Sequence, residues 1–272
     1  MKIKRLLSYV VLIIASIAAL FPLYWMVSLS FQPSILAWSY PPSFIFIPTL
    51  ENYVMVFIER GFTRWLLNSI IVTSGATALS IILGSLAAYA LARFNIKGAN
   101  NIAMWILSIR MFPPITVILP LYVLYSQWGL FDTHIGLILA DCILLLPYAV
   151  WMLYGFFKEV PKELDEAAEI DGASKTSILF RVIIPVSRSG IVATAILCAI
   201  FSWNDFIFAF SLTSNFAKTL MVPISGFLGD YVWEWSAFYA AGTVAAVPMI
   251  ILGITAQKYL ARGMTFGILK GA

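Results

Sequence analysis

Residues able to do covalent or metal chemistry are few and scattered in this sequence. One histidine, His134, and two cysteines, Cys142 and Cys198, are its soft ligands, and each stands in or beside an apolar run. A zinc or haem site needs several such ligands together, so no metal is expected. Glu163 with Glu166, and Asp165 with Glu169, pair carboxylates at helical spacing as acid–base chemistry would, but no nucleophile accompanies them. The run Gly172-Ala173-Ser174-Lys175-Thr176 ends like a phosphate-binding loop, yet it lacks the glycine directly before the lysine and a strand ahead of it. Lys175 therefore reads as a solvated loop residue. More telling are the polar groups inside apolar stretches: Arg110, Asp141, and Asp205 with Asn204 beside it. A charge at a bilayer centre costs about 2.5 to 3.5 kcal/mol on insertion scales, so such groups either satisfy one another or line a path for a polar solute. Tyr148, Trp151 and Trp203 add ring faces of the kind that stack on sugars, or else serve as packing and interface anchors.

The elements that position these groups follow from composition. Of 272 residues, 61% are hydrophobic, 15% aromatic and only 11% charged, and mean hydropathy is +0.93. That charged fraction is less than half the roughly 25% of a soluble domain, and so much apolar surface excludes disorder. The net charge of +4 does not point to nucleic acid, because the basic residues are scattered between apolar segments. The fold class expected is an all-α polytopic membrane protein. A span needs roughly 20 apolar residues, and six runs qualify, near 6–31, 66–92, 102–126, 135–157, 190–212 and 238–257. The first follows Lys2, Lys4 and Arg5 but is too long for a signal peptide and has no small-x-small site before Phe21-Pro22, so it reads as an uncleaved anchor. With both termini cytoplasmic, every lysine and arginine except Arg60, Arg64, Lys218 and Arg110 falls inside, as the positive-inside rule requires. One transmembrane domain is expected over 1–272: anchor and outer loop 1–65, core 66–262, tail 263–272.

The only long hydrophilic stretch on the inner side is 158–189, and its helix punctuation is clear. Pro161 suits a first helical position and Gly172 a left-handed C-terminal cap; Ser174 caps a second helix that Pro185 limits. Two short helices are expected, at about 161–171 and 174–184. On the first, Leu164, Ala167, Ala168 and Asp171 share a face shallow enough to enter a groove. Lys162 stands against Glu163, Asp165, Glu166, Glu169 and Asp171, an acidic balance that an anionic membrane surface repels and a basic protein surface attracts. The alternative is a solvated helix whose charges keep it wet. On the other side, loop 32–65 is proline- and aromatic-rich, with helical periodicity only over 51–59.

Glu166-Ala167-Ala168, three residues, Gly172, nine residues and Val182-Ile183-Ile184-Pro185 resemble the EAA loop of permease subunits in binding-protein-dependent ABC importers. The family pattern ends in isoleucine, any residue, leucine and proline, so Val182 and Ile184 are conservative departures. Arg110-Met111-Phe112-Pro113-Pro114, Trp203-Asn204-Asp205 and the tail from Gly263 to Gly271 are similar to the MalG-type branch that imports carbohydrates. The resemblance covers nearly the whole chain and implies a MetI-like type I ABC importer transmembrane domain with six transmembrane helices. It implies that Glu166 makes the polar contact with a separate cytoplasmic ATPase dimer, that Gly172 permits the turn, and that Leu164, Ala167, Ala168 and Asp171 complete the contact.

The resemblance further implies a sister permease, an extracytoplasmic solute-binding protein and a location in a bacterial or archaeal cytoplasmic membrane. ATP and magnesium would be held by the ATPase, with no cofactor and no catalytic residue in this chain, and no nucleic acid as partner. Arg110, Asp141, Tyr148, Trp203, Asn204 and Asp205 become candidates for the substrate path, or for contacts with the sister permease. In the outer loop 213–237, Asp230, Tyr231, Trp233 and Trp235 become candidate contacts with the binding protein; an aromatic belt equally explains the two tryptophans. Oligosaccharide, polyol, glycerol phosphodiester and sulfonated sugar remain open as solutes. Two other readings compete: a self-sufficient secondary transporter, which would carry internal repeats and broken helices, and a membrane-embedded enzyme, which would need a nucleophile, base or metal constellation.

Overall fold

In a bilayer each backbone polar group must be satisfied within its own segment, and the described residues meet that demand with helices alone. The structure is a computed structural model and describes residues 2–227 and 234–268. Chain contacts gather into two units, Met1–Leu66 with Val222–Pro248, and Leu67–Met221 with Met249–Ala272.

The first unit holds the anchor helix Lys2–Ser30, whose most apolar window is wholly unburied within the chain. Its C-terminal end is closed by Asn52, which is 1% exposed and donates to the carbonyls of Ser30 and Gln32 at 2.9 Å each. Ser30 ends the last helical turn and Gln32 follows it, so the amide completes bonding that the helix end leaves open. The helix expected over 51–59 is present as Glu51–Val54 followed by a wider turn, Met55–Glu59. Trp235 opens the last long helix, Trp235–Ile268.

The second unit is built round His134–Glu159, which Thr133 caps by accepting the Gly136 N–H at 3.0 Å. Its inward stripe of Leu137, Ala140, Leu145, Ala149, Leu153 and Phe157 is at most 2% exposed. Phe62–Arg93 packs on it closely: a Cβ at Gly84 would lie 3.0 Å from that of Ala149. Small residues permit such approach between apolar helices, where packing rather than hydrophobicity drives association.

Among the described residues, four continuous helices are long and apolar enough to cross a membrane: Leu6–Ser30, Phe62–Arg93, His134–Glu159 and Trp235–Gln257. The other two expected spans are interrupted, which corrects the continuous helices expected over 102–126 and 190–212. The first comprises Ala99–Ser108 and Ile118–Gln127, joined through Phe112 and Pro113 in extended conformation. Two successive prolines remove two N–H donors and force the preceding residue out of the helical region, so the ladder stops there. The second comprises Arg188–Trp203 and Ile207–Leu212. Before it, Lys175–Val186 meets Arg188–Trp203 at a bend of 82°.

Candidate functional site

The loop 158–189 forms the expected helix, turn and helix, with shifted edges. The first helix is Glu163–Ile170, so Pro161 stands ahead of it rather than at its first position. Gly172 takes φ +82°, the left-handed conformation in which a side chain is strained. Ser174 caps the second helix by accepting the Ser177 N–H at 3.2 Å. That helix runs Lys175–Ile178 and then widens over Leu179–Ile183, just ahead of Pro185. Pro185 has no N–H to return to the preceding turn and its ring crowds the carbonyl there, so the single-register helix expected to 184 is not kept.

Burial redistributes the acidic charge of the first helix. Asp165 is 8% exposed and ion-paired with Arg93, Nε to Oδ2 at 2.6 Å. Glu169 pairs with Lys175 in the open, and the carboxylate hydrogen bond holds the lysine ammonium protonated beyond its usual range. Glu163, Glu166 and Asp171 remain exposed and outside these pairs. The face expected of Leu164, Ala167, Ala168 and Asp171 is split: Ala168 turns inward against the buried core, whereas Leu164 and Ala167 are exposed. Ile170, 87% exposed at the helix end, was not among the expected contacts. It is an apolar knob beside the turn, and no periodic pattern distinguishes it from a core isoleucine.

The intramembrane polar residues converge only in part. Asp141 is 3% exposed and accepts the Ser202 hydroxyl, tying His134–Glu159 to Arg188–Trp203, while its Oδ1 finds no partner. Arg110 makes no ion pair among the described residues. Its guanidinium lies 3.9 Å from the Phe201 ring centroid and 4.9 Å from that of Tyr148, and those two rings meet edge to face at 5.4 Å. Ring faces thus hold the cation, and of the two alternatives left open for it an ion pair with Asp141 is not formed. Asn204 donates to the Ile200 carbonyl at 2.7 Å, and Asp205 accepts the N–H groups of Ala209 at 3.0 Å and Phe208 at 3.5 Å. The pair therefore caps the two helix ends at the interruption. Trp203 is 4% exposed, so its ring is packed away rather than offered to a solute.

Of the loop expected to meet a binding protein, Asp230, Tyr231 and Trp233 lie outside the described residues. Trp235 meets Trp38 edge to face at 6.0 Å and lines, with Trp25, Gln32 and Tyr239, a cavity of about 290 Å³ in the first unit. In the second unit an unanticipated residue organises the loop that follows Leu212. Asp132, at φ +55°, accepts the backbone N–H groups of Ser214, Asn215, Phe216 and Ala217 at 2.9–3.1 Å and the Ser214 hydroxyl at 2.8 Å. These hydrogen bonds hold its carboxyl well below the usual carboxylate range. His134 Nε2 meets Asn68 Oδ1 at 2.8 Å, and Asn68 donates to the carbonyls of Phe216 and Lys218. The asparagine amide orientation assigns its oxygen to the histidine and its two N–H bonds to the loop.

Residues 80–266 match the family of binding-protein-dependent transport system inner membrane components. The chain belongs to that family. It is a membrane-embedded permease subunit, a transport component and not an enzyme. The permease is 36% identical to the trehalose/maltose transport system permease protein MalG of Thermococcus litoralis, over 99% of this chain and 98% of that one. It is 34% identical to the sulfoquinovosyl glycerol transport system permease protein SmoH of Agrobacterium fabrum, over 97% and 94%. A crystal structure of a bacterial ABC transporter that imports the acidic polysaccharide alginate matches 95% of the permease and 96% of its own chain, with TM-score 0.78 and 22% identity. That likeness concerns the fold, which is the expected ABC importer type. The interrupted helices resemble those of secondary transporters, but family membership sets that alternative aside.

Proposed function

We propose that this permease, with a sister permease, forms the path by which a carbohydrate or related polyol crosses a bacterial or archaeal cytoplasmic membrane, driven by a cytoplasmic ATPase dimer and supplied by an extracytoplasmic binding protein. The chain crosses six times with both termini inside, the two interrupted segments each counting as one crossing. The observation that carries this reading is the exposed helix Glu163–Ile170, ended by a left-handed glycine and joined through an 82° bend to the span that bears Ser202, Asn204 and Asp205. Docked in a cleft, such a lever converts rotation of a partner into rigid-body motion of the spans attached to it. Glu166 is the polar contact, supported by Leu164, Ala167, Asp171 and the turn at Gly172, with Ala168 backing the helix from within. The carbohydrate assignment draws on the substrates named for the relatives at 34–36% identity.

Around the lever's far end, Asp141, Asn204 and Asp205 offer hydrogen-bonding groups at one depth, and Arg110 with Tyr148 stands below them. Trp203 backs this layer from its buried position. Trp235, with Asp230, Tyr231 and Trp233 of the same loop, is assigned to the binding-protein contact. Reconstituting the chain in proteoliposomes alone, and with co-encoded permease, ATPase and binding protein, tests the reading. Uptake of the binding protein's ligand should require all components and ATP. Uptake by the chain alone, driven by an ion gradient, would overturn it.

A further inference from the structure

Arg93 ends the second span, Phe62–Arg93, and lies far in sequence from the loop it touches. Its Nη2 donates to the Val160 carbonyl at 2.8 Å and its Nε pairs with Asp165 at 2.6 Å. Val160 closes the helix His134–Glu159, and Asp165 stands on the first turn of Glu163–Ile170. One guanidinium therefore joins three elements, through a hydrogen bond from Nη2 and an ion-pair contact at Nε that lacks hydrogen-bond alignment, and its extended planar cation reaches both acceptors where the single point charge of a lysine ammonium does not. The paired side chains are 5% and 12% exposed, unlike the open Lys175–Glu169 pair, at 58% and 44%. An exposed pair is screened and contributes little, whereas breaking a buried one leaves a stranded charge. Around Arg93 the packing is continuous: Tyr89, Leu91, Phe157, Val160, Ile178 and Ile183 belong to one buried cluster.

We propose that Arg93 is a positioning residue that makes the second span move with the helix Glu163–Ile170, so the lever drives a span to which it has no direct covalent connection. Chain connectivity alone attaches that helix to the fourth and fifth spans. The Arg93 clamp adds the second, which already packs on the fourth at Gly84. The proposal rests on the ATPase-contact reading of Glu163–Ile170.

The test uses the complete importer in proteoliposomes, with Arg93→Gln, Arg93→Lys, Asp165→Asn and the exchanged pair Arg93→Asp/Asp165→Arg. Copurification of all subunits establishes assembly; ATP hydrolysis and uptake are then measured together. Arg93→Gln and Asp165→Asn should lower solute transported per ATP by roughly tenfold, within the usual range of intersite coupling. Arg93→Lys should fall between them and the wild type, and the exchanged pair should recover part of the loss. A merely structural role would reduce assembled complex without changing the ratio in what assembles. Spin labels at Ile96→Cys and Lys162→Cys, with Cys142 and Cys198 replaced by alanine, report the mechanical link. The wild-type separation should stay narrow and unchanged between nucleotide-free and ATP-bound complexes, and should broaden in Arg93→Gln or, should that variant fail to assemble, in Arg93→Lys. A wild-type separation that shifts between the two states, or an unchanged transport ratio in assembled Arg93→Gln or Arg93→Lys, overturns the clamp. Glu166→Arg measured in parallel separates the two ideas. If it uncouples the importer while Arg93→Gln does not, only the clamp fails; if Glu166→Arg transports normally, the lever reading fails.

Discussion

The two ends of the second unit are tied by opposite chemistry. At one, Arg93 and Asp165 join helices through charge on charge, and the helix that carries Asp165 presents Glu163, Glu166 and Ile170 to solvent. At the other, the Asp132 carboxylate is saturated by four backbone N–H groups and a hydroxyl, with Asn68 bonding the same loop. A side-chain ion pair fixes where two elements meet while leaving a helix surface free for a partner. A carboxylate that collects successive N–H groups fixes the shape of one loop and depends little on side-chain identity there. The first end thus leaves a helix surface open to a partner, as the proposed lever requires, and the second holds the form of a loop.

Substitutions in the lever should break this contrast most strongly. Glu166→Arg and Gly172→Val are each expected to lower ATP-driven uptake by about tenfold or more while the chain still inserts, the first by replacing attraction to a basic cleft with repulsion and the second by straining a left-handed turn. Uptake assays beside an immunoblot of membrane fractions check both. Normal transport by the two variants would remove the functional half of the comparison.

Asp132→Ala comes next and acts on form. It should destabilise the folded chain by about 1–3 kcal/mol, because the freed N–H groups at 214–216 are exposed and can turn to water whereas that of the buried Ala217 is left unpaired. The sign with pH follows from a depressed native pKa. The contribution is fully present above the unfolded aspartate value of about 3.9 and is lost as pH falls through the lower native one. Thermal unfolding in detergent between neutral and strongly acid pH should show a smaller acid loss in Asp132→Asn than in wild type.

The polar layer gives a finer division. Asp205→Ala should lose a helix cap, at about 0.5–2 kcal/mol, whereas Asp205→Asn keeps capping ability and should retain stability. If Asp205 also meets the solute, the two variants should impair uptake alike while basal ATPase activity persists; if capping is its whole role, only the alanine variant should suffer. The smallest effect is expected for Lys175→Ala, which removes an ion pair open to water. Neither thermal stability nor uptake should change measurably, and a substantial loss would mean that lysine serves the lever.

Much of the lever was legible because its signals are local. Gly172 is left-handed and Ser174 is a cap for reasons confined to a few neighbouring residues, whereas the acidic run between two spans left a partner contact and a solvated helix equally open. The break after Phe112 was written in Pro113-Pro114, although a hydropathy window passes over two prolines without registering the lost donors. The role of Asp132 was not legible, since its partners are backbone groups that every residue carries. Arg93 read only as a topology signal, and Asp165 only as one acid among five.

By itself the sequence determined an all-helical membrane chain, its apolar segments, and a charged helix–turn–helix between two of them, but not that two of the segments are interrupted. Composition, proline placement and capping act within a segment, and so survive without knowledge of its neighbours. Tertiary structure alone decided which acid is buried, that Arg110 rests on Phe201 and Tyr148 instead of a carboxylate, and that Asn204 and Asp205 cap helix ends. Burial and pairing depend on what another segment brings to the same place, and that information is spread across residues far apart in the chain.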